Sequence, residues 1–311
     1  MKFVIPMVIV TVLGVALSAA AGAETPRVVA SIKPVHSLVA GVMTGIGEPH
    51  LLVRGRTSPH DLSLKPSDAQ ALAEASLVFW IGPGLETPLV RPLESLADKA
   101  RVVPLSKLDR LTRLPRRAGR AWSAASGNDH EHEHEPSSGF DMHIWLDPAN
   151  AVVMVAAIAD HLATADPSRA TAYRSNAAAV TERLNRLDEF LRDQLAGLSD
   201  RPYVVHHDAY RYLEERYRLE PLGALSRGRH QPPGAARLRA VRRLINDEGV
   251  VCLFADPQST GRSVAMLGRE TGIRTEVLDP LGSAIVAGPD HYVRTMRDMA
   301  AVLRGCLAPP S

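Results

Sequence analysis

Three histidines occupy short segments far apart in the chain. His60 stands between a proline and an aspartate in Ser58-Pro-His-Asp-Leu-Ser-Leu-Lys-Pro-Ser-Asp68, and His143 lies in Asp141-Met-His-Ile-Trp-Leu-Asp-Pro148. His207 follows His206 in Val204-Val-His-His-Asp-Ala-Tyr210. Neutral imidazoles are borderline-soft nitrogen donors, and zinc accepts nitrogen, sulfur or carboxylate ligands in tetrahedral arrays. The expectation is that these three loops converge on one divalent ion. A lone loop histidine is more often solvated or hydrogen-bonded than a ligand, so spacing alone leaves that second reading open for each of them.

Other residues carry weaker signals. Asp208 could accept the second ring N–H of a ligand histidine or cap the helix that follows. His206 faces away from its neighbour if the strand before it extends that far, which gives it a structural role. His36, His50, His161, His230 and His291 stand in no comparable surroundings. In Asn128-Asp-His-Glu-His-Glu-His-Glu135, His130, His132 and His134 alternate with acids, and the tract reads either as a solvated loop or as a weak chelator that gathers metal.

The elements that must position these residues are legible in part. A chain of 311 residues, 45% apolar, builds one large or two ordinary domains, and its length favours two. Met-Lys, an apolar run from Phe3 to Ala20 and Ala21-Gly-Ala23 read as a secretory leader cleaved after Ala23. An uncleaved anchor is the alternative, since the run is almost long enough to span a bilayer. No cysteine lies near the cleavage site, so a free periplasmic protein of a two-membrane bacterium is expected. The formal charge of +2 falls to +1 once Lys2 leaves with the leader, and points to neither nucleic acid nor an anionic membrane surface. Only Cys252 and Cys306 are present. An oxidising compartment makes a disulfide the first expectation for such a pair, with two buried thiols as the other reading.

From Val28 the chain alternates short apolar runs with helical periods, through Val28–Ile32, Leu77–Ile81 and Arg101–Pro104. Continuous apolar strands between helices indicate a parallel sheet covered on both faces. Residues 105–139 break the rhythm with Arg/Pro-rich and Ser/Gly-rich sequence. A long amphipathic helix then opens at Pro167-Ser168 and runs with Tyr173, Ala177, Val180, Leu184, Leu187, Leu191 and Leu195 on one face until Gly197. Its roughly 28 residues would reach about 42 Å at the helical rise, and a coiled-coil seam is the alternative use of such a stripe. Tyr203–His206, Val250–Ala255 and Thr275–Leu278 restart the alternation, with helices at about 209–217, 235–246, 259–271 and 291–307. In open α/β sheets ligands bind beyond the carboxyl ends of strands, and His207 and Asp279 both fall just after such runs. The resulting division is a leader at 1–23, an α/β domain at 24–165 with a His-rich loop at about 123–139, a helix at 166–197, and a second α/β domain at 198–311.

The segments around His60, His143 and His207, together with Phe254-Ala-Asp-Pro-Gln258 and Leu278-Asp-Pro-Leu-Gly282, occur in an order that resembles the zinc-binding proteins of bacterial ABC importers. These belong to the zinc and manganese cluster of periplasmic binding proteins, and the resemblance runs from about Val28 to Cys306. It implies two α/β domains joined by a long stiff helix, with metal held in the cleft between them. It places His60, His143 and His207 at the three histidine ligand positions and favours a Cys252–Cys306 bridge. Asp279 matches an acidic residue that ligates metal in the manganese-binding relatives. Some zinc-binding members have a glutamate directly before the first histidine, but this chain has Pro59 there, which leaves Asp279 or a water for the fourth position. Members often carry a His-rich loop, which His130, His132 and His134 would supply.

The function implied is capture of Zn2+ and its delivery, by a monomer, to a membrane permease driven by a cytoplasmic ATPase. Manganese is the nearer competitor, disfavoured because it prefers oxygen-rich sites. A zinc hydrolase using the same three histidines is the alternative from another class, but no nucleophile motif or general base accompanies them.

Overall fold

The computed structural model describes residues 24–118, 122, 139–226, 233–259 and 261–309. The expected leader and His130, His132 and His134 lie outside them. The first half contains β1 (Val28–Ala30), α1 (Lys33–Val42), β2 (His50–Leu51), α2 (Pro66–Ala73), β3 (Leu77–Trp80), α3 (Val90–Leu96) and β4 (Arg101–Pro104). All pairings are parallel, in the order β2-β1-β3-β4. The second half repeats the plan with β5 (Tyr203–Val205), α6 (Arg211–Tyr217), β6 (Pro221–Ala224), α7 (Ala235–Asp247), β7 (Cys252–Ala255), α8 (Arg262–Thr271), β8 (Arg274–Val277) and α9 (His291–Leu307). Its order, β6-β5-β7-β8, is again parallel throughout. The apolar runs at β1, β3, β5 and β7 form the inner strands because they are the ones buried on both faces. The edge strand β8 is exposed along its whole length.

Between the halves run α4 (Pro148–Ala165) and α5 (Ala170–Leu195). Asp147 caps α4 by accepting from the Ala149 N–H, and Pro148 at the first position is preset for the turn. The 26 residues of α5 extend roughly 39 Å at the helical rise. Tyr173, Ala177, Leu184, Leu187, Leu191 and Leu195 are buried on it, and α5 packs against α1, α4 and α9. The stripe is spent inside the chain, on packing both halves to one rod, rather than on a zipper with a second copy. At the crossing with α1, a Cβ on Gly41 would lie 2.8 Å from Val180 Cγ2, so the absence of a side chain sets the approach of the two helices.

Cys252 at the start of β7 and Cys306 near the end of α9 form a disulfide with Cα atoms 6.1 Å apart. It fastens the last helix to a central strand of the second sheet.

Several hydrogen bonds cross between the halves. Lys33, in the first turn of α1, donates to the carbonyls of Ser283 and Ile285 at 2.7 Å each. The Trp145 indole donates to Pro280 O at 2.9 Å, and the Tyr292 hydroxyl donates to Trp145 O at 2.6 Å. Tyr212 on α6 donates to Asp141 O at 2.7 Å. The Lys33 and Trp145 bonds tie the segment after β8 to the first half.

Candidate metal centre

His60 sits in a single 3-10 turn, Pro59–Asp61, after β2. Pro59 fixes the entry dihedral and Ser58 Oγ accepts from the His60 N–H at 3.2 Å, so a short polar segment holds the imidazole in place without a longer helix. His143 immediately precedes the 3-10 turn Ile144–Leu146 that leads into α4. Asp141 Oδ1 accepts from the His143 backbone N–H at 2.8 Å and lies 2.8 Å from its ring Nδ1. His207 follows the carboxyl end of β5, and its Nδ1 lies 3.3 Å from Oδ2 of Asp256, which follows the carboxyl end of the neighbouring β7. This is where an open parallel sheet presents its ligands.

The three imidazoles meet. Ring centroids are 6.1 Å apart for His60 and His143, 5.9 Å for His60 and His207, and 5.1 Å for His143 and His207. One ring nitrogen from each lies within 4.8 Å of the other two. A zinc ion bonded at about 2.0 Å to each nitrogen needs them roughly 3.3 Å apart, so small side-chain rotations bring the set to bonding geometry. A carboxylate at Nδ1 fixes the tautomer in which Nδ1 donates, and thereby leaves Nε2 of His143 and of His207 as a lone-pair donor. The open pocket they line is walled by Pro59, Trp145, Gln258, Pro280 and Leu281. Its donor chemistry fits a borderline-soft divalent cation.

The electrostatics follow from burial and these partners. Burial by itself would lower the His207 pKa, but the hydrogen bond and charge of Asp256, with Asp208 and Asp141 beyond, outweigh it and hold the imidazole above its ordinary value. Burial pushes the Asp141 carboxyl up, yet the charge and hydrogen bonds of His143 win, and it stays below the usual carboxylate range.

Other residues singled out in the sequence stand elsewhere. Asp279 is not among the three residues brought together; its oxygens accept from the Leu281 N–H at 3.0 Å and from the Ser283 N–H and hydroxyl at 2.6 Å each. Asp208 does not cap α6, and its carboxylate pairs with Arg117 at 2.7 Å. Arg117 also reaches Glu214 at 2.7 Å. His206 continues the backbone ladder, donating to Phe254 O at 2.8 Å, and is buried away from the group. His36, His50, His161 and His291 are not in it, and His230 lies outside the described residues. The orienting roles of Asp141 and Asp256 are new from the structure. For Asp141 a local signal exists, an aspartate two residues before a histidine whose N–H it can accept; for Asp256 only the adjacency of β5 and β7 reveals it.

The family model for the zinc-uptake complex component A, periplasmic, matches residues 28–306. The chain belongs to this family. Among curated members it is similar to the high-affinity zinc uptake system protein ZnuA of Brucella suis, 38% identical over 309 residues that cover 92% of both chains. The ZnuA of Paracoccus denitrificans is 36% identical, with 95% of this chain and 97% of that one covered. Among solved structures, a ZnuA crystal structure superposes with a TM-score of 0.77 at 22% identity, covering 92% of this chain and 100% of that one. The periplasmic zinc-binding protein TroA from Treponema pallidum gives 0.76 at 20% identity, with 92% and 100% covered. At those identities the superpositions establish the fold, and family membership rests on the sequence matches. The fold class expected from the sequence, two parallel-sheet α/β domains and a long helix, is the one observed.

Proposed function

We propose that this protein captures Zn2+ in the periplasm through His60, His143 and His207 and delivers it to the membrane permease of an ABC importer powered by a cytoplasmic ATPase. The observation that carries the reading is the convergence of three ring nitrogens from three distant loops to within 4.8 Å, in a chain of the zinc-uptake family. Zinc is cargo here, and the chain acts as a binding protein rather than an enzyme. A water takes the fourth position in this reading: Pro59 offers no ligand atom, and Asp279 is not among the residues whose ligand atoms converge. Manganese is disfavoured because three nitrogens and no carboxylate make a soft, oxygen-poor set.

The rest of the reading follows from the sequence. The leader at 1–23 is cleaved after Ala23 without lipid attachment, and the mature protein is a monomer divided at 24–165, 166–197 and 198–311. The internal burial of the α5 stripe supports the monomer. His130, His132 and His134 act as an auxiliary collecting loop, which Pro115 and Phe140, paired at its base, support by returning the chain to within three residues of His143.

Competitive titration of the metal-free protein with Zn2+ and Mn2+, on the wild type and on His60→Ala, His143→Ala and His207→Ala, tests the assignment. Zinc should bind far more tightly than manganese, and each alanine should weaken it strongly, while His161→Ala does not. Tight manganese binding with weak zinc binding, or a His143→Ala protein that binds zinc like wild type, overturns it.

A further inference from the structure

The loop after β7 contributes more to the site than the carboxylate of Asp256. The Gln258 backbone N–H donates to Asp256 Oδ1 at 2.8 Å, on the carboxylate whose other oxygen faces His207. Arg56, four residues before His60 on the opposite half, donates through Nε to Pro257 O at 2.8 Å. Residues 256–258 are thus fixed from both sides of the cleft. Gln258 itself lines the pocket with the three histidines. Its side-chain Nε2 is buried and has no hydrogen-bond partner among the described residues.

An unsatisfied buried amide costs on the order of 1–3 kcal/mol. A ligand entering the pocket that Gln258 lines could supply such a group with a partner. The two ends of a carboxamide exchange by a half-turn, which brings the carbonyl oxygen, an acceptor, to the place of the orphaned nitrogen. A metal with three nitrogen ligands keeps one position for a water whose protons need acceptors. Pro59 has no acceptor side chain, and Asp279 is not in the group of residues that converge there.

We propose that the Gln258 carboxamide is the residue that holds the fourth position of the site, accepting a hydrogen bond from the water bound to the captured ion. This rests on the three-histidine assignment above. The cost of burying the amide is borne in the metal-free protein and recovered on loading, so Gln258 raises affinity without stabilising the fold.

The test compares wild type with Gln258→Ala, Gln258→Glu and His207→Ala, using Zn2+ alone in a chelator competition and Co2+ as a spectroscopic substitute. Gln258→Ala should weaken zinc binding about tenfold, the lower end of the range for losing a partner outside the ligands. The metal-free Gln258→Ala protein should melt no lower than wild type. Gln258→Glu should bind at least as tightly as wild type and change the visible Co2+ spectrum, as the carboxylate replaces or polarises the water. Zinc affinity of Gln258→Ala within about twofold of wild type, well under the tenfold expected, or a lower melting temperature of its metal-free form, overturns the proposal. His207→Ala separates the two levels: if it too binds like wild type the three-histidine site falls, whereas loss of binding there with no effect at Gln258 sinks the Gln258 role alone.

Discussion

Nδ1 of His143 and Oδ1 of Asp141 lie 2.8 Å apart, and the same oxygen accepts the His143 backbone N–H. One carboxylate atom therefore sets both the position of the residue and the tautomer of its ring. Asp256 plays the corresponding part for His207 at 3.3 Å. Replacing either aspartate by asparagine removes the charge that favours an Nδ1 donor. Asp141→Asn and Asp256→Asn should each weaken zinc binding about 10–100-fold, with the fold retained. Chelator competition on the purified variants, with circular dichroism as the folding control, measures this.

Proton competition gives a second prediction. The His207 pKa is raised, so its proton is held more tightly than on a free imidazole, and zinc must displace it. Zinc affinity should accordingly fall as the pH is lowered, beginning above about 6.5, the unperturbed histidine value. In Asp256→Asn the main raising influence is gone, and the onset should move to lower pH. Binding measured in steps between pH 8 and pH 5, on the ~1-unit scale over which such groups shift, would show both curves.

A third concerns stability of the metal-free protein. His291 is 1% exposed, donates Nε2–H to Gly282 O at 3.1 Å, and is pushed down to about 4 by burial and by the charges of Lys33 and His36. Its folded pKa lies below its unfolded one, so the unfolded chain binds the proton first. The stability it contributes is complete above about pH 6.5 and is lost as the pH falls through about 4, to the extent of about 3 kcal/mol. His291→Gln keeps a donor for Gly282 O and does not titrate. Its thermal denaturation should depend less on pH over that interval than that of wild type.

The disulfide supplies a fourth. Cys252 and Cys306 close a loop spanning 54 residues of sequence separation, for which chain entropy predicts about 4 kcal/mol. The double variant Cys252→Ser, Cys306→Ser should lose a melting temperature on the order of 10 °C. Zinc affinity at 25 °C should change little, because neither cysteine touches the pocket.

Much of this molecule can be read from its residues, for identifiable reasons. The inner strands are continuous apolar runs, and α5 announces itself by a stripe at steps of three and four ended by Gly197, whose φ is +76°. The strand Pro221–Ala224 escaped, since a proline and a glycine in four residues leave no apolar alternation, and only pairing with β5 makes it a strand. At the site, the three histidines are visible as motifs because each belongs to a short local segment. Asp208, adjacent in sequence to His207, can be read as its partner or as a helix cap, and Arg117 from the first half pairs with its carboxylate. The partner that faces the ring comes from 49 positions further along, and tertiary pairing alone delivers it. Asp279 sits in a recognisable segment, and its carboxylate accepts from Leu281 and Ser283 in its own loop.

The rod formed by α5 bears on how an ion can leave. Leu184, Leu187, Leu191 and Leu195 are sealed against both halves, so swinging one half away from the other would shear buried apolar surface along most of the molecule's length. Escape through wide opening is thereby made expensive.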